Sequence, residues 1–168
     1  MIRELGSRDA DAIFAVINEA AQAYKGVIPA DRWHEPYMPA DELAREIAAG
    51  VAFAGFEEQG GLAGVMGSQP VKDVTLIRHA YVRSARQRKG IGAALLKHLL
   101  ARTDRPVLIG TWAAARWAIR FYEMHGFKVV TPEEKERLLR LYWTVPDRQI
   151  ATSVVLADRR WFARSSGS

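Results

Sequence analysis

One stretch, residues 74–100, constrains the fold most, because a strand pattern passes through a glycine turn directly into a helix pattern. Residues 74–82 (VTLIRHAYV) have the composition of a strand, and apolar residues recur at helical spacing from Ile91 to Leu100. The turn between them, residues 87–92 (QRKGIG), contains two glycines, which let the backbone approach a ligand closely. Because the first amides of a helix lack partners within the helix and its dipole favours negative charge, this junction predicts an anion site, most often for phosphate.

Positive charge is concentrated at the same turn. Arg83, Arg86, Arg88 and Lys89 lie in it or directly before it, and the whole chain carries a net charge of +5. Such a modest excess suits an anionic ligand, a nucleic acid or an ordinary basic surface. Because the cluster is local, it favours a compact phosphate group, and we expect no nucleic-acid partner.

The composition is that of a globular protein. The 168 residues are 49% hydrophobic and 26% charged, and a chain of this length builds one core, so a single domain over residues 1–168 is expected. No apolar run is long enough to cross a membrane and the N-terminus lacks a signal-peptide pattern, which predicts a cytoplasmic protein without membrane contact. The absence of cysteine excludes disulfides, a thiolate nucleophile and Cys-ligated zinc, and no metal site is expected.

The remaining residues predict alternating strands and helices. Strands are expected at 2–5, 51–58, 62–71, 74–82, 106–111, 127–131 and 150–156, and helices at about 7–24, 41–49, 91–103, 114–125 and 133–142. The first half reads as an antiparallel meander, and strand–helix–strand order in the second half implies a parallel pair. The prediction is a mixed α/β sheet with helices on both faces, a helical insert at about 132–149 and a polar tail without a structural signal at 164–168.

Two motifs together restrict the class of phosphate-containing ligand that the turn could bind. A dinucleotide fingerprint needs a third glycine where this chain has Leu95, and the P-loop sequence is absent. Residues 87–92 instead have the form [RQ]xxGx[GA], and residues 118–127 (AIRFYEMHGF) match AIxxYExxGF. This pair resembles the signatures of the GNAT superfamily of acetyl-CoA-dependent N-acetyltransferases.

The resemblance implies a GNAT fold, with a mostly antiparallel sheet and a central parallel strand pair splayed at the cofactor site. It also implies that acetyl-CoA is the cosubstrate and that a primary amine attacks it directly, one backbone amide acting as the oxyanion donor. The residues implied to bind the cofactor are Ala80, Tyr81 and Val82 for the pantetheine arm, Gln87, Arg88, Lys89, Gly90, Ile91, Gly92 and Ala93 for the pyrophosphate, and Phe121. The alternative is a CoA-binding or acyl-CoA-binding module without turnover.

The resemblance assigns a general acid but no general base. By position, Tyr122 is the acid that protonates the leaving thiolate, although it could be only a core aromatic. Some members have a Glu as the base and an Asn that contacts the cofactor. At the corresponding positions this chain has Gly110 and Ala115. His79 is the best substitute base because its ordinary pKa, near neutrality, suits an ammonium proton, although it could have no chemical role.

The amine acceptor is expected among aromatic residues outside the two motifs. Trp33 and Tyr37 lie in the irregular segment 25–39, which could line a pocket or only fasten the loop to the domain. Tyr142 and Trp143 lie in the insert, which could be a wall of the acceptor site, a dimer contact or a capping helix. Arg140 and Arg148 would suit an acceptor with a carboxylate. The expected partner is therefore a small-molecule or peptide amine, with a homodimer possible.

Overall fold

The computed structural model describes residues 1–166 and has one seven-stranded sheet in the order β1-β2-β3-β4-β5-β7-β6. The strands are β1 (Ile2–Glu4), β2 (Ala52–Glu58), β3 (Gly61–Val71), β4 (Val74–Val82), β5 (Val107–Trp112), β6 (Lys128–Val129) and β7 (Ser153–Ala157). The α-helices are α1 (Ala10–Ala20), α2 (Ala40–Ala48), α3 (Ile91–Leu100), α4 (Arg116–Met124), α5 (Pro132–Tyr142), α6 (Asp147–Ala151) and α7 (Arg159–Ser166). Short 3₁₀ turns lie at Ser7–Asp9, Ala21–Tyr24, Ala30–Arg32 and Ser84–Arg86.

Strands β4 and β5 form the parallel pair, and their pairing is short. Thr75 to Ile77 pair with Val107 to Ile109, whereas every other pair of neighbouring strands in the described sheet is antiparallel. Beyond Ile77 and Ile109 the two strands continue without pairing to each other. This confirms the expected mixed sheet, with its central parallel pair splayed at one end.

A bulge in β4 lies at the point where the pair opens. The register between β3 and β4 shifts between Val65 and Gly67, and opposite this shift His79 has a φ of 55°. Left-handed backbone is costly for a residue with a side chain, and a bulge redirects the strand and its side chains. The bulge therefore sets where His79 and the following residues of β4 point.

Helices cover both faces of the sheet, because neighbouring residues of each strand enter different apolar clusters. On β2, Phe53 packs with Val16 and Leu43 of α1 and α2, whereas Ala54 packs with Leu95 and Leu96 of α3. On β4 and β5, Leu76 and Leu108 pack with α5 and α7, whereas Ile77 and Ile109 belong to the α3 cluster, which also contains Tyr122 of α4. The expected helices on both faces are confirmed.

The elements near the C-terminus differ from the expectation at several boundaries. Ile150 was expected to begin the last strand but is buried in α6, and the strand begins at Ser153, so that prediction was wrong at its start. A β-branched residue favours a strand only weakly, and here burial against α5 decides. The strand expected at 127–131 is reduced to Lys128–Val129, and the insert contains α5 and α6.

The tail expected without structure at 164–168 overlaps α7, whose last residue is Ser166. This helix is short and has few apolar residues, which is why the sequence pattern did not reveal it. Asp158 precedes it and accepts hydrogen bonds through Oδ1 from the amides of Val107 (3.2 Å) and Trp161 (3.3 Å). Residues 167–168 lie outside the described residues.

Candidate active site

The glycine turn exposes the amino end of α3. Gly90 has left-handed backbone (φ 78°) and forms the helix cap without a side-chain hydrogen bond. The first amide to bond back into the helix is that of Ala94, which donates to the carbonyl of Gly90 at 3.0 Å. The amides of Ile91, Gly92 and Ala93 therefore have no acceptor within the helix and are available to an anion.

The four basic residues around the turn have different roles. The Nε of Arg83 donates to the carbonyl of Leu62 at 2.9 Å, and Arg86 pairs with Glu58 at 2.6 Å. These two arginines fasten the turn to the β2–β3 hairpin. Arg88 and Lys89 are exposed and have no ion pair within residues 1–166, so they are the cations that a phosphate would meet.

Phe121 closes the other side of the turn. A Cβ on Gly92 would lie 3.4 Å from the ring of Phe121, so the lack of a side chain at Gly92 allows this close contact. The ring also packs edge-on against Tyr122, with centroids 5.1 Å apart. The second motif thus comes directly beside the first, as the resemblance implies.

A cavity of about 500 Å³ lies where β4 and β5 separate. Its walls come from β4, β5, α4, the segment between α1 and α2, and the insert. Among the residues expected at the site, His79, Ala80, Tyr81, Tyr122, Tyr37 and Trp143 line it. Its lining, as far as the structure describes the chain, does not include Val82, Phe121, Trp33, Tyr142 or the turn residues 87–93. The cavity and the turn are joined through the last residues of β4.

Tyr122 is a buried phenol that faces the cavity. It is 6% exposed, and its hydroxyl has no hydrogen-bond partner within residues 1–166. Burial, and to a lesser degree the nearby Tyr24, raises the pKa of Tyr122 well above its ordinary value. The side chain is therefore a neutral hydrogen-bond donor at physiological pH, with its hydroxyl left free for a ligand.

His79 is paired with a carboxylate that the sequence pattern did not reveal. Its Nε2 lies 2.5 Å from Oε1 of Glu46, and the same oxygen lies 3.2 Å from a guanidinium nitrogen of Arg78. Burial raises the pKa of Glu46, but the hydrogen bond with His79 and the charges of His79 and Arg78 outweigh it, so the pKa lies below its ordinary value. Glu46 follows the buried Leu43 by three residues, and this spacing was the available signal that it also faces inward.

Aromatic residues of the segment 25–39 form one wall. The indole Nε1 of Trp112 donates to the hydroxyl of Tyr37 at 2.8 Å, and Trp33 stacks on Tyr37 with centroids 5.7 Å apart. The ring of Tyr24 lies 5.4 Å from that of Tyr37 and 6.2 Å from that of Tyr81. Tyr37 therefore both lines the cavity and fastens the loop, whereas Trp33 supports it from behind.

The two adjacent aromatic residues of the insert are placed differently. A Cβ on Gly110 would lie 3.4 Å from the ring of Trp143, so the absence of a side chain on β5 lets this indole form part of the cavity wall. Tyr142 is buried between α5 and the sheet, and its hydroxyl donates to Asp73 at 2.6 Å. The structure gives Tyr142 a packing role and brings only Trp143 to the cavity.

Two side-chain contacts join the insert to the segment 25–39. Arg148 of α6 pairs with Asp31 at 3.2 Å, and Arg32 donates to Gln149 at 3.4 Å. Arg140 pairs with Glu136 and Asp147, each at 3.2 Å. Both arginines considered for an acceptor carboxylate are thus already engaged with carboxylates of the protein.

The family assignment follows from a comparison with protein families. Residues 17–142 match the family described as Acetyltransferase (GNAT) domain, so the chain belongs to this family and is an acyltransferase. No curated protein matched the chain.

Solved structures of low sequence identity share the fold. An N-acetyltransferase (PaiA) from Thermoplasma acidophilum, in complex with coenzyme A, is 16% identical with a TM-score of 0.68 over 94% of this chain and 97% of that one. The Escherichia coli ribosomal-protein-S18-alanine N-acetyltransferase is 20% identical with a TM-score of 0.64 over 94% and 92%. A Brucella melitensis GNAT acetyltransferase in complex with acetyl-CoA is 23% identical with a TM-score of 0.59 over 76% and 82%.

The described residues contain neither a membrane-spanning helix nor a cluster of metal-binding side chains. Across residues 1–166, none of the helices has the length and apolar character needed to span a bilayer. The same residues contain no group of three or more His, Cys, Asp or Glu side chains placed to hold a metal ion.

Proposed function

We propose that this acyltransferase moves an acetyl group from acetyl-CoA to a primary amine, by direct attack while both substrates are bound. The observation that carries the proposal is the opening of β4 from β5 beyond Ile77 and Ile109, beside a glycine turn with unpartnered helix amides. The neighbours from Thermoplasma acidophilum and Brucella melitensis, which are in complex with coenzyme A and acetyl-CoA, support the same ligand class.

The proposed cofactor contacts follow from which backbone groups are unpaired. The amides between Gln87 and Ala93 bind the pyrophosphate, and Arg88 and Lys89, which form no ion pair within the described chain, add positive charge at the turn. Tyr81 and Val82 pair with β3 on one side of β4, and Ala80 lies in the bulge before them. The opposite edge of β4 does not pair with β5 here, which leaves it free for the amide groups of the pantetheine arm. Phe121 packs beside the turn and gives it an apolar flank.

The reaction proposed for this site needs no covalent enzyme intermediate. The amine nitrogen attacks the thioester carbonyl carbon, forming a C–N bond and a tetrahedral oxyanion. A backbone amide of β4 near Ala80 donates to that oxyanion. The C–S bond then breaks and coenzyme A leaves as a thiolate. The attacking nitrogen loses its extra proton as the amide forms, and this proton balances the one that the thiolate takes up.

His79 is the proposed general base for the ammonium proton. Its position in the β4 bulge brings its side chain to the cavity, and Glu46 holds the ring through a 2.5 Å contact. A partly buried carboxylate in this position fixes the orientation of the imidazole and stabilises the imidazolium that forms when the base accepts a proton. Glu46 acts here as a positioning residue.

Tyr122 is the proposed donor to the leaving sulfur. Its raised pKa keeps the phenol protonated, and its hydroxyl has no competing acceptor within residues 1–166. The same shift makes complete proton transfer less favourable by about 1.4 kcal/mol per pKa unit. The role that fits this environment is therefore a hydrogen bond that stabilises the developing thiolate, with the proton following as the thiolate leaves.

The cofactor part of the proposal is tested by binding. Acetyl-CoA should raise the melting temperature in a concentration-dependent manner, by mass action on the folded state. The double variant Arg88→Gln, Lys89→Gln should need higher concentrations for the same shift, whereas Arg8→Gln, another exposed arginine, should not differ from wild type. Failure of acetyl-CoA to raise the melting temperature even at millimolar concentration would refute the cofactor assignment. The cytoplasmic location and the homodimer stay predictions.

A further inference from the structure

Arg32 is a guanidinium in the cavity wall that lacks a carboxylate partner. It ends the 3₁₀ turn Ala30–Arg32 and lines the cavity together with Tyr37 and Gln149. Within residues 1–166 it takes part in no ion pair, and its side chain makes one hydrogen bond, to Gln149 at the long distance of 3.4 Å. Its Nε is fully buried and has no hydrogen-bond partner in the described chain.

A buried donor without a partner is costly and calls for a physical explanation. Leaving such a group unpaired costs about 1–3 kcal/mol, and more when the group is charged. A ligand in the cavity does not reach the buried Nε itself, but a carboxylate at the terminal nitrogens of this guanidinium would compensate the charge that residues 1–166 leave without an ion pair. Arg32 is thus a preformed anion site whose planar fork of N–H donors matches the two oxygens of a carboxylate.

The other arginines near the cavity are already satisfied. Arg78 pairs with Glu46 at 3.2 Å and donates to Gln69 at 3.2 Å, and Arg148 pairs with Asp31. These contacts account for their charge within the protein. The contrast with Arg32 singles out one guanidinium among those that face or border the cavity.

We propose that Arg32 binds the carboxylate of the acceptor, so that the substrate is a small amino carboxylate of amino-acid type; this rests on the acetyl-transfer function proposed above. The cavity wall also carries Asp31, Glu42 and Glu46, which disfavour a doubly charged phosphate and favour the ammonium group of the incoming acceptor. A zwitterion matches both the cationic and the anionic side chains of the cavity wall, with its carboxylate at Arg32 and its amine toward the pair of His79 and Glu46.

The size of the cavity favours a small molecule. A volume of about 500 Å³ falls within the range of about 300–1,000 Å³ that is typical of small-ligand sites. The Asp31–Arg148 ion pair ties the segment that carries Arg32 to α6.

The test compares acceptors that differ only in their anionic group. Common amino acids are paired with their decarboxylated amines (serine with ethanolamine, phenylalanine with phenethylamine), and O-phosphoethanolamine and spermidine complete the set. Binding to the CoA-loaded protein is measured by melting temperature and by tryptophan fluorescence, since Trp112 and Trp143 line the cavity. Wild type is compared with Arg32→Gln, Arg32→Lys and the control Arg8→Gln, whose exposed side chain lies outside the cavity wall.

We expect at least one amino acid to bind about 10- to 100-fold more tightly than its decarboxylated amine, as loss of a charged hydrogen-bonded pair implies. Arg32→Gln should abolish this difference, Arg32→Lys should keep part of it because charge remains without the fork, and Arg8→Gln should keep all of it. The inference is overturned if the decarboxylated amines bind as well as the amino acids, if O-phosphoethanolamine or spermidine binds best, or if Arg32→Gln retains the preference. A folded Arg32→Lys variant decides the matter should Arg32→Gln fail to fold.

Thiol release from acetyl-CoA, measured in parallel, separates this inference from the proposed function. An amino acid that binds through Arg32 without thiol release supports carboxylate recognition and contradicts acetyl transfer. Thiol release that occurs only with amines lacking a carboxylate supports acetyl transfer and contradicts carboxylate recognition by Arg32.

Discussion

Removing the hydroxyl groups of Tyr122 and Tyr142 in separate variants should dissociate catalysis from stability. The Tyr122 hydroxyl has no hydrogen-bond partner within residues 1–166, so Tyr122→Phe loses no hydrogen bond to the described protein, and its free energy of unfolding should stay within about 0.5 kcal/mol of wild type. Its kcat should fall about 100-fold, at the lower end of the range for proton donors, because the raised pKa limits complete transfer.

Tyr142→Phe should show the opposite behaviour. It removes a 2.6 Å hydrogen bond to Asp73, whose side chain is 43% exposed and also pairs with Arg164, so the expected loss is about 1 kcal/mol, or about 2–4 °C in melting temperature. Its kcat should equal that of wild type because Tyr142 does not line the cavity, as far as residues 1–166 define it.

Circular dichroism melts of the unliganded proteins measure the effect on stability. Steady-state thiol release at saturating acetyl-CoA and amine measures the effect on turnover. Wild-type turnover by Tyr122→Phe would refute the donor role. A large loss of turnover in Tyr142→Phe would show instead that the placement of the insert has been misjudged.

Three further perturbations probe other parts of the site. Glu46→Gln should lower both the activity at pH 7 and the free energy of unfolding. Because the pKa of Glu46 is depressed in the folded protein, the stability that this carboxylate contributes is present above the ordinary pKa of 4.5 and is lost as pH falls through the lower folded pKa. The melting temperatures of wild type and Glu46→Gln should therefore converge below pH 4.5. Gly90→Ala should lower the free energy of unfolding by about 1 kcal/mol and weaken acetyl-CoA binding, because a φ of 78° strains a residue with a side chain although nothing lies within 4 Å of the new Cβ. Unchanged acetyl-CoA binding by calorimetry would contradict the assignment of the glycine turn to the cofactor. Gly110→Leu should displace Trp143 and raise the KM of the amine with little change in the KM of acetyl-CoA, and a selective rise in the latter would contradict the assignment of this wall to the acceptor.

The sequence predicted the cofactor end of the fold well because its determinants are local. The glycines of residues 87–92 dictate the turn, and the spacing of Ile91 to Leu100 dictates the helix that follows. The splayed strand pair followed from the family resemblance, and the sheet confirms it. Binding of coenzyme A by the backbone groups of residues 80–82 and 87–93 stays a prediction.

The acceptor end could not be read in the same way because its contacts are made between distant segments. Nothing local to Glu46 indicates that it meets His79, which lies 33 residues away. Likewise, Arg148 pairs with Asp31 at a separation of 117 residues. Because of this contact, Asp31 does not pair with Arg32, and the guanidinium of Arg32 in the cavity wall has no carboxylate partner within the described chain. Neighbours in sequence are no better guide, since Trp143 reaches the cavity and Tyr142 does not.

The most direct test of the central claim is the stoichiometry of acetyl transfer. Purified protein is incubated with acetyl-CoA labelled in the acetyl group and with the amino-acid panel, and free CoA thiol and acetylated amine are measured together. Acetyl transfer to nitrogen predicts equal amounts of the two products, with the label on the amine nitrogen and turnover that depends on both substrates. Binding of acetyl-CoA with no labelled amine from any amine of the panel, or thiol release that matches hydrolysis alone, would contradict it.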